Sequence, residues 1–158
     1  MPILAEAIHW KIHGAKVVPG DQLDIKTCGA PSVERTAAAI NLPRVGAQKI
    51  WAGTVTIGPN GKTDPHHHGG LECVIYIVRG RARIRWGEKL EYSAEAGPGD
   101  FIFVPPYVPH QEINVASDQP LECVLVRSDH EEVAVSLDIE PVERPETVRW
   151  GDPILRQP

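Results

Sequence analysis

Short apolar runs between turn residues are the feature that most limits how this chain can fold. In residues 51–58, Thr54 and Thr56 alternate with Val55 and Ile57, as in a strand with two different faces. Further runs of strand length lie at 72–78, 81–86, 101–104, 121–127 and 133–139. The runs recur at intervals of roughly 8–12 residues, and the chain is rich in turn formers, with 14 Gly and 15 Pro. This pattern predicts an all-β sandwich or barrel.

Length and charge exclude several classes of protein. A chain of 158 residues makes one ordinary domain with a buried core. The formal net charge of −5 disfavours nucleic acid as a partner, because nucleic-acid binding needs a positive surface. No apolar run approaches the length of about 18 residues that a membrane span needs, and we expect no secretory signal. Three cysteines without a C-x-x-C pair predict a reducing, cytoplasmic location.

Histidines form the most distinctive cluster in the sequence. His66, His67 and His68 are consecutive, and His110 ends a proline-rich stretch further along the chain. Residues two apart in a strand share a face, so we expect His66 and His68 to point the same way and His67 to point opposite. Two imidazoles, a third from another strand and a nearby carboxylate make a site for a first-row transition metal.

At these residues the sequence resembles the cupin superfamily, whose members carry two motifs. The first motif is G-x5-H-x-H-x3,4-E-x6-G, and His66-x-His68-x3-Glu72 matches its centre. Gly61 lies one residue closer to His66 than the motif asks. Seven residues, rather than six, separate Glu72 from Gly80. The histidines therefore match, whereas the position of the glutamate is shifted by one residue relative to Gly80.

The second motif, G-x5-P-x-G-x2-H-x3-N, matches in register. Gly99, Pro105, His110 and Asn114 stand at the required spacing, and Tyr107 replaces the glycine that is usual in the family. Asn114 shares the face of His110, and we expect its side chain to bind backbone rather than a ligand. The two motifs together are specific for the fold but weak evidence for any one reaction, since many chemistries use this fold.

The identity of the fourth metal ligand stays open. Glu72 is the candidate from the first motif, but counting back six residues from Gly80 puts Cys73 at the usual glutamate position. A cysteine ligand would favour softer metals. Glu112 lies two residues after His110 and shares its face. The pirin branch of the cupins is similar, with seven residues between the glutamate and glycine of the first motif and an H-x-E second motif whose glutamate binds the metal.

The resemblance implies an all-β fold, the cupin double-stranded β-helix, which is a jelly-roll-like barrel of two antiparallel sheets. We expect a single cupin domain over residues 1–158, with the barrel core and both motifs in 51–127. Residues 1–50 are expected to form an N-terminal arm, and 128–158 the last strand and a C-terminal tail. One divalent transition metal, Fe, Mn, Ni, Zn or Cu, is expected inside the barrel. Its ligands would come from His66, His68, Glu72, His110 and Glu112.

Two classes of function fit this expectation. The first is an enzyme, a metal-dependent oxygenase of a small organic substrate, with isomerase or lyase chemistry at the same metal as an alternative. Whichever of Glu72 and Glu112 is not a ligand can then serve as general base. The second class is a non-catalytic module that binds a metal or a metabolite. An enzyme needs an open coordination position and a path to it, whereas tight packing by Tyr107, Trp51 and the arm would favour the module.

One strand bears on assembly. Phe101 and Phe103 alternate with Ile102 and Val104, so both faces of this strand are apolar. Such a strand has to be covered on both faces, either by the arm or by a second subunit. We therefore expect a homodimer, with a small-molecule ligand as the other partner.

Overall fold

The computed structural model describes residues 10–28 and 34–153, except the side chains of Thr27 and Cys28. The start of the predicted arm, residues 1–9, and the end of the predicted tail, residues 154–158, lie outside this description. The described part contains two short helices, α1 (Trp10–His13) and α2 (Leu42–Val45). Its strands are β1 (Asp24–Cys28), β2 (Glu34–Ile40), β3 (Ile50–Ile57), β4 (His66–His67), β5 (Cys73–Arg79), β6 (Ala82–Trp86), β7 (Tyr92–Ala96), β8 (Phe101–Val104), β9 (His110–Asn114), β10 (Leu121–Ser128), β11 (Val135–Ser136) and β12 (Glu146–Thr147).

The strands form two six-stranded sheets. The first has the order β1-β2-β3-β10-β5-β8, and the second has the order β11-β4-β9-β6-β7-β12. Every pairing is antiparallel except that of β12 with β7, which is parallel. The predicted all-β, jelly-roll-like fold of two sheets is confirmed. Within the described residues, neither helix is long or apolar enough to cross a membrane.

Strict alternation of side chains builds the core. In β10, Leu121, Cys123, Leu125 and Arg127 are buried and the residues between them are partly exposed. This strand lies between β3 and β5 in the first sheet, where its inward face meets the buried side chains of both neighbours. Because both of its edges are paired, this strand satisfies its backbone hydrogen bonds within the sheet. Its alternate side chains point to the interior of the barrel.

The stretch expected to be an arm contributes two strands to the first sheet. β1 pairs with β2, and β2 pairs with β3. Ala37 and Ala38 of β2 are buried. This stretch contains few large apolar residues, so its alternation is weak in the sequence, yet pairing with the otherwise open edge of β3 satisfies the backbone. The division of the chain at residues 50/51 and 127/128 stays a prediction.

After β10 the chain contributes little regular structure. The run 133–139, expected to be a strand, forms only the two-residue β11, which pairs with β4 beside His66 and His67. β12 is also two residues long and pairs with β7. These short strands cover the outer edges of the second sheet, which leaves fewer free backbone groups at those edges.

The other edge of the first sheet is apolar and exposed. β8 pairs only with β5 among the described strands. The side chains of Phe101 and Phe103 are 72% and 58% exposed, whereas Val104 is buried. Tyr76 lies against Phe101 with ring centroids 4.7 Å apart. The second apolar face of β8, expected from the sequence, therefore lacks a cover within the part of the chain that the structure describes.

Candidate metal centre

Three imidazoles meet where β4 pairs with β9. His66 lies directly opposite His110 in the strand register, and His68 follows two residues after His66. Ring centroids are 4.3 Å apart for His66 and His110, and 4.8 Å apart for His66 and His68. One ligand atom from each of the three histidines lies within 4.8 Å of the others. His67 does not belong to this group, since its Nδ1 accepts a hydrogen bond from the backbone N–H of Gly69.

Each of the three histidines is oriented by the backbone through its Nδ1 atom. The partners are the carbonyl oxygens of Asp64 for His66 (2.7 Å), Val133 for His68 (2.8 Å) and Val108 for His110 (2.9 Å). A carbonyl oxygen only accepts hydrogen bonds, so Nδ1 carries the proton in each ring and Nε2 keeps its lone pair. This is the arrangement that orients histidines as metal ligands in proteins.

The burial of the cluster supports a cationic guest. His110 is fully buried, and its Nε2 atom makes no hydrogen bond within the described residues; its nearest carboxylate oxygen, Oε1 of Glu112, lies 3.4 Å away. A buried nitrogen without a partner is costly, and a bound metal ion would satisfy it. Burial also lowers the pKa of His68 to about 4, which keeps this imidazole neutral at neutral pH. The residues present therefore fit a divalent transition metal.

Glu112 is the carboxylate next to the histidines. Its Oε1 lies 3.4 Å from Nε2 of His110, and its Oε2 lies 3.8 Å from Nε2 of His66. The Thr63 hydroxyl donates a hydrogen bond to Oε2 at 3.0 Å. Burial raises the pKa of Glu112, but the two imidazoles and the Thr63 hydroxyl outweigh burial and hold the pKa below its usual range. The carboxylate is thus ionised and available as a ligand.

The structure separates the other two candidates for the fourth ligand from the cluster. Glu72 is exposed, and its backbone N–H donates to the hydroxyl of Ser128. Its carboxylate makes no ion pair with the described histidines. Cys73 is buried in the apolar core, where burial raises the pKa of its thiol to about 11. The structure thus brings Glu112 together with the three histidines, and the role of these four side chains as ligands stays a prediction.

A cavity of about 680 Å³ adjoins the cluster inside the barrel. His66, His68 and Glu112 form part of its wall. Apolar side chains from four strands form one part of the wall: Val55, Ile57, Ile75, Ile77, Ile102, Leu121 and Leu125. Polar and charged side chains, among them Asp24, Lys26, Asp64 and Glu132, form much of the remainder. Its volume lies within the range of small-molecule sites, roughly 300–1,000 Å³. An organic molecule bound there would reach the cluster.

The cavity is also lined by charged side chains that were not among the expected site residues. Glu34 of β2 and Arg127 of β10 both line it. Burial raises the pKa of Glu34, and the negative charges of Glu112 and Asp64 raise it further. The strand alternation that places Leu125 inward also places Arg127 inward, and this is the signal in the sequence that could have found it.

Asn114 has a structural role in this arrangement. Its Nδ2 donates to the carbonyl oxygens of Ile57 (3.1 Å), Gly58 (3.1 Å) and Gln119 (2.9 Å). Its Oδ1 accepts from the backbone N–H of Ala116 at 3.0 Å. The prediction that Asn114 binds backbone is confirmed. It ties the end of β3 to the turn after β9, the strand that carries His110 and Glu112.

The comparison with protein families decides the classification. The model of the family described as Cupin domain matches residues 53–127, which include both motifs and all four side chains of the cluster. The chain carries a cupin domain. Membership of the cupin superfamily, expected from the resemblance, is confirmed.

Similar proteins are cupins of several activities. The polyketide cyclase RemF from Streptomyces resistomycificus is 25% identical, with a TM-score of 0.65 over 83% of this chain and 89% of that one. Oxalate decarboxylase from Lactobacillus farciminis is 24% identical, with a TM-score of 0.61 over 72% of this chain and 34% of that one. Germin-like protein subfamily T member 3 from Arabidopsis thaliana is 28% identical over 95 residues, 59% of this cupin and 42% of the relative. This cupin thus spans less than half of two of these relatives.

Proposed function

We propose that this cupin is a metal-dependent enzyme that acts on a small organic substrate bound in the cavity. The observation that carries the proposal is the convergence of three Nε2 atoms whose rings are each held by a backbone carbonyl. His66, His68, His110 and Glu112 would hold one divalent transition metal. Fe, Mn, Ni, Zn and Cu all fit this donor set, and affinity order alone does not choose among them.

The ligand set defines what the metal would supply. Bound by three neutral imidazoles and one carboxylate, a divalent ion would keep positive charge and act as a Lewis acid toward an oxygen of the substrate. The carbonyls at Nδ1 keep the histidines in the ligating tautomer, and Thr63 holds the Glu112 carboxylate. The apolar side chains of the wall would reduce the water around a bound substrate and strengthen the electrostatic interactions there.

Glu34 is the best-placed general base in this proposal. From the sequence, whichever of Glu72 and Glu112 is not a ligand is expected to be the base, but Glu72 is exposed outside the cavity. Glu34 lines the cavity, and burial raises the pKa of its carboxyl. A carboxylate with a raised pKa is better suited to accept a proton from a substrate near neutral pH.

The open cavity favours an enzyme or a ligand-binding site over a closed metal-storage site. Tyr107 is 67% exposed and does not seal the barrel. Trp51 is buried in the cavity wall, with its indole N–H bound to Glu132 at 2.7 Å. Tight packing over the site would favour a non-catalytic module, and the exposure of Tyr107 argues against such packing.

Oxygenation of the substrate is the first candidate reaction. A divalent ion held by three imidazoles and one carboxylate would keep one or two open positions, where it would supply Lewis-acid or redox chemistry to a substrate. The second candidate is a ring-closing reaction without dioxygen, one form of the isomerase or lyase alternative. Its support is the similarity to the polyketide cyclase RemF, which extends over most of both chains.

Oxygen uptake separates the two candidates. Protein loaded with Fe(II) or Mn(II) would be screened against phenolic and polyketide-like compounds in an oxygen electrode and in an anaerobic chamber. Oxygen consumption that is coupled to substrate loss supports the oxygenase. Substrate loss that persists without oxygen supports the cyclase. No substrate loss in either condition, with His66→Ala as the matched control, contradicts the enzyme proposal.

Location and assembly complete the proposal. We propose a cytoplasmic homodimer, supported by the free thiols of Cys73 and Cys123 and by the exposed apolar edge of β8. A second copy is the cover that this edge favours, since Phe101 and Phe103 remain exposed with the described arm in place.

A further inference from the structure

Arg127 is a buried guanidinium in the wall of the cavity. Its side chain is only 7% exposed, and it occupies the inward position that follows Leu121, Cys123 and Leu125 along β10. It lines the same cavity as His68 and Glu112 of the metal cluster. A charged group therefore stands where the alternation of the strand otherwise places apolar side chains.

No described residue neutralises this charge by direct contact. Arg127 forms no ion pair and no hydrogen bond with the part of the chain that the structure describes, and its Nε atom is buried without a partner. Its guanidinium lies over the ring of Trp51, whose centroid is 4.1 Å from Cζ. Burial of a charge without a paired carboxylate lowers the stability of the folded protein. No ion pair within the described residues compensates for this cost at Arg127.

The nearby carboxylates are engaged elsewhere. Glu132 accepts from the Trp51 indole at 2.7 Å and lies 3.5 Å from Nζ of Lys26. Glu112 accepts from Thr63 and faces the histidines. Glu34 lines the same cavity, but no ion pair joins it to Arg127 among the described residues. The guanidinium therefore remains available for a carboxylate that comes from a ligand.

We propose that Arg127 binds the carboxylate of an organic acid whose apolar body fills the cavity. Trp51 holds the guanidinium plane by stacking, and a planar guanidinium matches a carboxylate with two parallel hydrogen bonds. The apolar part of the wall, formed by residues such as Ile75, Ile77 and Leu125, and the volume of about 680 Å³ suit an aromatic or aliphatic acid better than a two-carbon diacid. That the other end of this acid faces the reactive metal rests on the proposed function, whereas the binding by Arg127 does not.

The number of unpaired positive side chains in the cavity wall favours a carboxylate over a phosphate as the ligand group. Among the described residues that line the cavity, Lys26 is paired with Glu132 and Lys62 is exposed. Arg127 alone offers a buried, unpaired positive charge. One guanidinium matches a monoanion, and a phosphate dianion usually takes more donors.

Solution NMR on the metal-free protein tests the proposal without any need for activity. The probes are benzoate and hexanoate, with benzamide as the neutral isostere of benzoate and phenylphosphonate as the dianion. The readouts are the Trp51 indole N–H and the Arg127 Nε–H signals. We expect saturable shifts of both signals with at least one of the two acids. Benzamide should bind about tenfold or more weakly, because it lacks the charge that strengthens the hydrogen bond.

Variants locate the binding group. Arg127→Gln should abolish binding of the acid, Arg127→Lys should weaken it by about tenfold through loss of the bidentate geometry, and Arg81→Gln should leave it unchanged. Arg81 is the matched control, since it is exposed and paired with Glu95. The Trp51 signal reports binding in every variant. If Arg127→Gln does not fold, the Arg127→Lys comparison with wild type decides.

Several outcomes would overturn the proposal. These are equal binding of benzoate and benzamide, tighter binding of phenylphosphonate, unchanged binding in Arg127→Lys, or no shift with either acid at millimolar concentration. His66→Ala distinguishes this proposal from the proposed function. Acid binding that survives in His66→Ala supports the role of Arg127 whether or not the wild type takes up metal. If Arg127→Lys still takes up metal, the metal site does not depend on Arg127. A failure of acid binding would then contradict only the proposal for Arg127.

Discussion

Thr63 and Glu112 are joined by reciprocal hydrogen bonds. The Thr63 hydroxyl donates to Oε2 of Glu112 at 3.0 Å, and the backbone N–H of Glu112 lies 3.1 Å from the same hydroxyl oxygen. The backbone N–H of Thr63 also donates to the carbonyl of Glu112 at 2.9 Å. One threonine thus orients the carboxylate and pins the strand that carries it, although it lies 49 residues away in the sequence.

Replacement of Thr63 should weaken metal binding while the ligands themselves stay intact. Thr63→Val removes the hydroxyl but keeps the shape, and outer partners of metal ligands are worth roughly 10–100-fold in affinity. Thr63→Ser keeps the hydroxyl and should bind metal nearly as well as wild type. Competition with a chromogenic chelator measures both constants. Equal affinities for Thr63→Val and wild type would contradict the role of this hydroxyl.

The two described buried cysteines should be unreactive in the folded protein. Burial raises the pKa of Cys73 to about 11 and that of Cys123 to about 12, and only the thiolate attacks a disulfide reagent. In a Cys28→Ala background, Ellman's reagent at pH 8 should react slowly with the native protein. It should react quickly with two thiols in urea. Rapid native reaction of Cys73 would reopen its candidacy as a ligand or nucleophile.

Asn114 should matter for stability rather than for binding. Asn114→Ala leaves three carbonyls and one N–H, all in buried or part-buried bonds, without their partner, and we expect a loss of about 3 kcal/mol in the free energy of unfolding. Urea denaturation of the metal-free protein measures this loss. Metal content at low temperature, where the variant is folded, should be unchanged. An intact stability with lost metal would instead assign Asn114 to the site.

The edge strand β8 supplies a test of assembly. If the chain forms the proposed homodimer, Phe101→Ser combined with Phe103→Ser should convert it to a monomer, because these side chains are the exposed apolar residues of the edge. Val17→Ser is the control, since Val17 is 92% exposed and lies outside the sheets. Sedimentation velocity reads the mass in solution. A monomeric wild type, or a dimeric double variant, would rule out this interface.

The alternation of apolar residues predicts the barrel strands well because burial on one face requires a period of two. The same rule places His66, His68, His110 and Glu112 on inward faces, and the H-x-E spacing predicts that Glu112 is available. The sequence does not show whether Glu72 or Glu112 is the fourth ligand, since that depends on whether the chain turns one residue earlier or later after His68.

Other features of the site depend on contacts between segments that are distant in sequence, so a local sequence pattern does not predict them. Glu34 reaches the cavity through the pairing of β2 with β3, and Thr63 reaches Glu112 from the loop before β4. Arg127 follows the alternation of β10, but a charged residue is ordinarily expected to face solvent. Tyr107 adopts φ of 62° at the position where the family usually has glycine, so the departure from the motif is accommodated by a left-handed backbone.

The central claim is that three histidines and Glu112 hold one divalent transition metal. Elemental analysis of untagged protein purified without added metal tests it most directly, alongside His66→Ala, Glu112→Ala and the matched control Glu72→Ala. We predict close to one metal ion per chain in wild type and Glu72→Ala, none in His66→Ala and a reduced content in Glu112→Ala. A wild type that neither contains metal nor takes it up, or a Glu72→Ala variant as depleted as His66→Ala, would contradict the account.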